Sequence, residues 1–320
     1  MNSGKANNLF LILGIIALLL GILMIVSHIK SGSYFIMFGI VILCLTIIPG
    51  IFTSIISPSN KVQSKYYPNI TQSVILTAIN ILIALLVIIK LKPGLNTYIN
   101  TEATNFICEI LIVGITLGIA SFNRKRFTNY NAFDFKIENL RIVPFIIIVS
   151  VVLLFGITSP LGNFIPVPES FKKSMMDFGS QNGIFSFLLL VFAAPILEEL
   201  LFRGIILDGL LKRYTPFVSI LISSLLFGIV HLNPWSFING IGIGIFSGWV
   251  YFKTRSVLPS IIIHASANLS GFLLRLFVDI PSLMDESLVK IYGGVTNFIL
   301  IIIGSVFIAS LCICFLTKEL

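Results

Sequence analysis

Ten long apolar segments constrain the fold of this 320-residue chain more than any other feature of its sequence. A helix needs about 20 mostly apolar residues to cross a bilayer, and it satisfies its own backbone hydrogen bonds in lipid. The sequence therefore predicts an all-α, polytopic bundle of about ten transmembrane helices. The predicted spans are Asn8–Ser27, Tyr34–Ile56, Ser73–Ile89, Asn105–Phe122, Ile142–Thr158, Gly183–Leu207, Pro216–Leu232, Phe237–Phe252, Val257–Phe277 and Val295–Leu316. The third, fifth, seventh and eighth are short enough for a tilted or re-entrant path.

The composition is typical of an integral membrane protein. The chain is 57% hydrophobic and 11% charged, whereas a soluble domain is about 25% charged. Its net charge of +8 is not gathered on a basic face with interleaved aromatic residues, so nucleic acid is not an expected partner. Four cysteines lie in apolar runs without zinc or disulfide spacing, and we interpret them as packing residues: Cys44, Cys108, Cys312 and Cys314.

The loops between the apolar segments predict the orientation of the bundle. Thirteen lysines and arginines fall on one side of the ten-span arrangement, and seven fall on the other. Short cytoplasmic loops carry an excess of positive charge, so we expect both the N-terminus and the C-terminus in the cytoplasm. The first apolar run is too long for a signal-peptide core of about 7–15 residues, and we expect it to be a retained span.

A strongly basic loop at residues 124–141 divides the chain. Residues 1–123 hold four predicted accessory spans, in which Glu109 is nearly the only ionisable side chain. Residues 142–277 hold the other charged side chains of the spans, and we expect this part to carry the function. Residues 278–320 add a C-terminal span.

Two local patterns refine the second half of the chain. The polar connection before the sixth span predicts a short interfacial helix near Phe171–Phe178. In the eighth span, Gly240, Gly244 and Gly248 are four residues apart. This spacing lets a neighbouring helix approach closely, so it predicts a packing face inside the bundle.

Ionisable residues inside the spans are the candidates for function, because charge is costly in the bilayer. They are Glu198, Glu199, Arg203, His231, His264 and Arg275. Glu199 and Arg203 are four apart with the acid first, which favours an ion pair on one helical face. Glu198 lies about 100° around the helix and has no partner at helical spacing. We therefore expect Glu198 to be free for chemistry and Glu199 to be structural.

Two further pairs share helical faces in the spans that follow. Phe227 and His231 are four apart, and so are His264 and Asn268. Three helices can thus direct a carboxylate, two imidazoles and an amide toward one polar cavity. Straight, upright helices would place His231 deeper than the other groups, so we expect a tilted or re-entrant seventh span or a deep water-filled cavity.

Three short motifs, in order, carry a resemblance to a known family. "EELLFR" reads as EExxxR, "FGIVH" as FxxxH and "HASAN" as HxxxN. This pattern resembles the CPBP (Abi) intramembrane proteases, which include type II CAAX prenyl endopeptidases and bacteriocin-processing or self-immunity proteins. The resemblance covers Ile142–Phe277, and the first four spans and the last carry no motif.

The resemblance implies an endopeptidase in the membrane of a bacterial cell, surrounded by lipid, that hydrolyses a membrane-associated or lipidated peptide. By the family pattern, Glu198 is the general base on water and is helped by His231. His264 and Asn268 would stabilise the oxyanion, for which an imidazole and an amide N–H are suitable donors. The remaining motif residues would support the site: Glu199, Arg203 and Phe227.

Zinc is an alternative cofactor, because this family is often described as metalloproteases. The chain has no HExxH motif, but Glu198, His231 and His264 form a carboxylate and two-imidazole set that catalytic zinc uses. One glutamate cannot easily be both ligand and base, so zinc would leave Glu199 as the base and take it from Arg203. We therefore prefer metal-independent activation of water.

Two non-protease functions are also compatible with buried charges. A membrane immunity or binding protein of the same family would carry a degenerate site, yet all four key positions are present. A secondary transporter would use the charges as an ion site and would be expected to show paired, repeat-related broken helices. The sequence shows no such symmetry.

Overall fold

Every regular element in the described part of the chain is an α-helix, in places with wider π-type turns. The computed structural model describes residues 66–130, 133–162, 169–278 and 288–320. The predicted spans Asn8–Ser27 and Tyr34–Ile56 lie outside these residues. The helices are α1 (Ile70–Leu95), α2 (Thr101–Thr128), α3 (Ile142–Gly162), α4 (Glu169–Gly179), α5 (Ile184–Leu211), α6 (Pro216–Ile229), α7 (Pro234–Thr254), α8 (Val257–Phe277), α9 (Leu288–Ile291) and α10 (Val295–Glu319).

Six of these helices are long and apolar enough to cross a membrane, namely α1, α2, α3, α5, α8 and α10. The chain is therefore an integral membrane protein, and the predicted all-α bundle is confirmed for the described residues. Ten spans and cytoplasmic termini stay predictions. Two predicted spans differ from the structure. Helix α6 has 14 residues, or about 21 Å, against about 30 Å of hydrocarbon, and α7 is not apolar enough to count as a span.

Helices α6 and α7 form a tight antiparallel pair. A Cβ atom added at Gly244 would lie 2.9 Å from Ser224 Cβ, and one at Gly240 would lie 3.0 Å from Gly228 Cα. The predicted glycine face of α7 is therefore confirmed as a packing face. It allows the backbones to approach closely, because no side chain stands between them.

Helix α5 runs parallel to α2, and polar contacts join the two at both ends. Near their N-termini, Gly183 N–H donates to Glu102 Oε1 at 2.9 Å. Near their C-termini, the buried Arg124 donates to Gly204 O at 2.7 Å and pairs with Asp208 at 2.9 Å. The division of the chain at residue 124 stays a prediction, but α2 from its first part lies along the helix that carries the EExxxR motif.

Wide turns interrupt α5 before that motif, at Leu189–Ala193, and from its third residue onward, at Leu200–Leu207. Pro195 follows the first of them and has no N–H to continue the regular ladder. Three carbonyls in these turns accept hydrogen bonds from side chains of other helices: Leu190 O from Asn268, Phe202 O from Ser223 and Gly204 O from Arg124. Wide turns of this kind are frequent at functional sites, and here they anchor α5 to its neighbours.

One described connection between helices is hydrogen-bonded to the bundle. Helix α2 continues to Thr128, so the first basic residues of the predicted 124–141 loop are helical. Farther along, Asp134 O accepts hydrogen bonds from Val257 N at 2.8 Å and Ser256 Oγ at 3.2 Å, where α8 begins. Helix α4 contains the predicted short helix near Phe171–Phe178.

Candidate active site

The ion pair at the centre of the bundle is formed by Glu199 and Arg203. Arg203 Nη1 lies 2.9 Å from Glu199 Oε1, and both side chains are 0% exposed. The contact predicted from their four-residue spacing is therefore confirmed. The same Glu199 oxygen is 3.1 Å from His264 Nδ1, which comes from α8. One carboxylate oxygen thus fixes both a cation of its own helix and an imidazole of another.

The Phe227 ring lies between the groups of the site. Arg203 Cζ is 4.3 Å from its centroid, which is within cation–π range. The imidazole rings of His231 and His264 meet the same ring edge-on, with centroid distances of 5.2 and 5.4 Å. Phe227 is 1% exposed, so it orients both imidazoles from a fixed position in the core.

Glu198 belongs to the same cluster. Glu198 is 9% exposed, and its Oε2 atom is buried without a hydrogen-bond partner among the described residues. The charged groups that act on it are His264, Glu109, Glu199 and Arg203. Among the described residues, Glu198 therefore lies next to the ion pair without being part of it.

His231 follows the short helix α6 rather than lying within a span. It comes two residues after Ile229, in a turn where Leu232 has a φ of 55°. His231 Nδ1 is 2.9 Å from Phe227 O. If that contact is a hydrogen bond from Nδ1–H, the other ring nitrogen, Nε2, is left to accept a proton.

Counts from helix ends do not measure depth in this bundle. Helix α5 continues to Leu211, four residues beyond its predicted end, so Glu198 lies thirteen residues (198 to 211) from that end. His231 lies fifteen residues from Pro216, where α6 begins. His264 lies only seven residues from Val257, where α8 begins, yet it contacts the neighbour of Glu198.

Asn268 and Arg275 attach α8 to its neighbours. Asn268 Nδ2 donates to Leu190 O at 2.8 Å, in the first wide turn of α5. An amide group has two N–H donors, so the second stays available one helical turn from His264. Arg275 instead lies over the Phe178 ring of α4, with Cζ 5.0 Å from the centroid, and takes no part in the cluster.

One residue of the cluster was not among the predicted site residues. The side chain of Glu109, on α2, forms a hydrogen bond with that of Glu198. The available signal was that Glu109 is the only carboxyl group within the first four predicted spans. The sequence alone does not predict its contact with Glu198, because Glu109 lies 89 positions away and outside every motif.

The predicted zinc ligands do not form a metal site in this arrangement. Within residues 66–130, 133–162, 169–278 and 288–320, no three His, Cys, Asp or Glu side chains are placed to hold a metal ion. The Nδ1 contacts of His264 and His231 leave both Nε2 atoms open, so the misfit lies in the spacing of the side chains and not in their hydrogen bonds. The donors Glu198, His231 and His264 therefore do not fit zinc here, and we derive no step through a metal.

A cavity of about 300 Å³ lies away from these residues, beyond the C-terminal end of α5. Two basic side chains, three tyrosines and a threonine line it: Tyr66, Tyr67, Arg124, Thr128, Tyr130 and Lys212. None of the predicted catalytic residues is among them. His231 and His264 come together through their ring contacts with Phe227, and this cavity takes no part in that arrangement; the shared site with Glu198 stays a prediction.

Comparison with known proteins supports the motif pattern. Residues 180–270 match the family model of Rce1-like type II CAAX prenyl endopeptidases. All three motifs, from Glu198 to Asn268, fall within the matched segment, whereas Glu109 falls outside it. The match begins later than the predicted Ile142 boundary, so α3 is not part of it.

Two bacterial proteins are similar over a comparable length. UPF0177 protein YxdF of Lactococcus lactis subsp. lactis is 37% identical over 78 residues, which are 24% of this chain and 42% of that protein. YdiL of Bacillus subtilis, named as a candidate membrane peptidase, is 35% identical over 74 residues, or 23% of this chain and 30% of that protein. The matches thus span less than half the length of these curated relatives. No solved structure matches the chain significantly.

The matched segment therefore agrees with the resemblance drawn from the three motifs, which is confirmed. Within this integral membrane protein, residues 180–270 are similar to the Rce1-like type II CAAX prenyl endopeptidases.

Proposed function

We propose that the chain is an intramembrane endopeptidase that hydrolyses a peptide bond of a membrane-associated or lipidated peptide. The observation that carries the proposal is the assembly of Glu198, His264 and the Glu199–Arg203 pair around Phe227, inside apolar helices. Ionisable groups at such depth are costly and are usually retained for function. Similarity to the Rce1-like family over the same residues supports the same reaction class.

Glu198 and His231 activate water in this proposal. A Glu198 carboxylate oxygen accepts a proton from the water molecule, and His231 accepts a hydrogen bond from it at Nε2. The water oxygen bonds to the carbonyl carbon of the peptide, whose C=O electrons move to oxygen. When the C–N bond breaks, the proton held by Glu198 passes to the leaving amine.

His264 and Asn268 stabilise the oxyanion. The second amide N–H of Asn268 is not needed for its bond to Leu190 O, so it can donate to the oxyanion. His264 presents Nε2 on the side of its ring opposite Glu199. It donates from Nε2 when the ring is protonated on both nitrogens, and the Glu199 contact holds the ring in that orientation.

A membrane-associated substrate follows from the position of the site. The three elements that carry it are α5, the α6–α7 pair and α8, and two of them are candidate spans. A peptide must therefore approach from within or along the bilayer, and an attached lipid would hold it there. Type II CAAX prenyl endopeptidases give the chemical class, a lipidated C-terminal peptide, whereas a leader peptide is the other substrate to test.

The two adjacent glutamates provide the test of this proposal. Glu198→Gln keeps the shape of the side chain and removes its basicity, so it should abolish cleavage while the protein stays folded. Glu199→Gln should lower thermal stability, because it removes the charge that Arg203 and His264 share. The measurement is cleavage of prenylated and unlipidated peptides by purified variants, with melting temperatures recorded in parallel.

The roles would be reversed if Glu198→Gln cleaved peptide normally and a well-folded Glu199→Gln variant did not. Ion-coupled substrate uptake into vesicles without cleavage would favour the transporter. Peptide binding that survives in Glu198→Gln, without cleavage by the unmutated protein, would favour the immunity or binding protein.

A further inference from the structure

Glu109 approaches the site from α2, a helix outside the segment that resembles the endopeptidases. Its side chain is hydrogen-bonded to that of Glu198 and is half-buried. Glu109 is also among the charged groups that act on Glu198. The carboxyl group expected to act as the base thus has a carboxyl partner that the family motifs do not contain.

The packing of α2 fixes where Glu109 lies. Glu102 accepts from Gly183 N at one end of the α2–α5 pair, and Arg124 donates to Gly204 O at the other. Asn105 adds a bond to Gln181 at 3.0 Å, one turn before Glu109. Because both helices are held at two levels, Glu109 stands on a rigid element and not on a loop.

A hydrogen bond between two carboxyl groups requires a proton on one of them. That bond occupies one side of the Glu198 carboxyl group and sets its rotation. A carboxyl group has two oxygens, so the protein can hold one of them while the other remains for water.

We propose that Glu109 is a positioning residue that holds the Glu198 carboxyl group in the orientation in which it takes a proton from water. The inference rests on the proposed function, because it assigns Glu109 a part in that reaction. It also makes α2 part of the reaction centre. The matched segment alone would then lack one of the groups that position its own base.

The test compares Glu109→Leu with Glu109→Gln in the full chain. Leucine cannot bond to Glu198, so kcat should fall on the order of 10²-fold, as for a small misplacement of a reacting group, with KM nearly unchanged. Glutamine can donate from its amide and should restore most of the rate. Glu102→Gln is the matched control on α2, because its side-chain oxygen still accepts from Gly183 N, and it should keep the unmutated rate.

A normal kcat in Glu109→Leu, or an equal loss in Glu109→Gln, would overturn the proposal. A second readout needs no cleavage. Melting temperatures of Glu109→Leu, Glu198→Leu and the double variant should be non-additive, because contacting residues couple and leucine at either position removes the bond. Additive shifts would overturn the contact even if the chain cut no peptide, whereas absent cleavage with non-additive shifts would count against the proposed function alone. Glu109→Ala replaces Glu109→Leu if leucine prevents folding.

Discussion

At the scale of single residues, the site is organised around one oxygen atom, Glu199 Oε1. It receives Arg203 at 2.9 Å and His264 at 3.1 Å, in a position with no solvent exposure. In such surroundings a charged group is tolerated only when its partners remain. The second Glu199 oxygen and two Arg203 nitrogens lack partners among the described residues. The pair therefore has few other hydrogen bonds that could replace a lost contact.

Replacing Arg203 by alanine should therefore destabilise the protein strongly. The change leaves the buried Glu199 carboxylate unpaired, and breaking a buried pair in this way costs about 3–5 kcal/mol. We expect a large fall in melting temperature and in the yield of folded protein. Arg275→Ala is the matched control, because Arg275 also lies on an apolar helix but contacts Phe178 at the edge of the bundle. Equal melting temperatures for the two variants would contradict the structural role of Arg203.

Removing the Asn268 amide should slow the reaction without stopping it. Asn268→Ala removes one oxyanion donor, which typically lowers turnover about 10²–10³-fold. It also removes the bond to Leu190 O, for which about 1 kcal/mol of stability is expected. Ser266→Ala is the control on α8, because the Ser266 hydroxyl bonds only to its own helix at Ile262 O. Equal turnover of peptide by Asn268→Ala and Ser266→Ala would contradict the role of Asn268 as an oxyanion donor.

The residue-scale contacts differ in how far sequence could predict them. Glu199 and Arg203 are four apart on one helix, so local helical geometry was sufficient to predict their contact. The contact between Glu199 and His264 joins positions 65 apart, and only the packing of α8 on α5 produces it. Glu109 is farther still from any motif, and a single sequence contains no signal for the register between α2 and α5.

At the scale of helices, the wide turns of α5 and the shortness of α6 shape the site. Periodicity predicted α5 but not its turns at Leu189–Ala193 and Leu200–Leu207, because apolar side chains are compatible with either winding. Hydropathy alone predicts that α6 is a complete span. It ends at Ile229 because the chain turns there to place α7 against it, and this turn places His231 beside Phe227.

The close approach of α6 and α7 gives a prediction at this scale. In Gly244→Ala the new methyl group would lie 2.9 Å from Ser224 Cβ, so one backbone must shift, at a cost of about 1–3 kcal/mol. The measurement is thermal unfolding in detergent. Gly271→Ala on α8 is the control, because a Cβ there meets nothing within 4 Å. A melting temperature of Gly244→Ala as high as that of Gly271→Ala would contradict the packing.

At the scale of the whole molecule, hydropathy was sufficient to predict the fold class. It does not predict which parts of the chain pack together. Six helices of the described residues are confirmed as candidate spans. The predicted boundary at residue 124 separated α2 from the functional part, because α2 carries no motif. That division stays a prediction, and in the structure α2 contacts α5 through Glu102, Glu109 and Arg124. Short sequence motifs do not include the helices that pack against them.

We propose that this bundle hydrolyses a membrane peptide with Glu198 as the base. The most direct measurement is mass spectrometry of a lipidated peptide incubated, in ¹⁸O-labelled water, with the protein reconstituted in vesicles. We expect two fragments with one ¹⁸O atom in the new carboxyl terminus, and no fragments from the folded Glu198→Gln variant. Intact peptide with the unmutated protein, or labelled fragments from Glu198→Gln, would contradict the account.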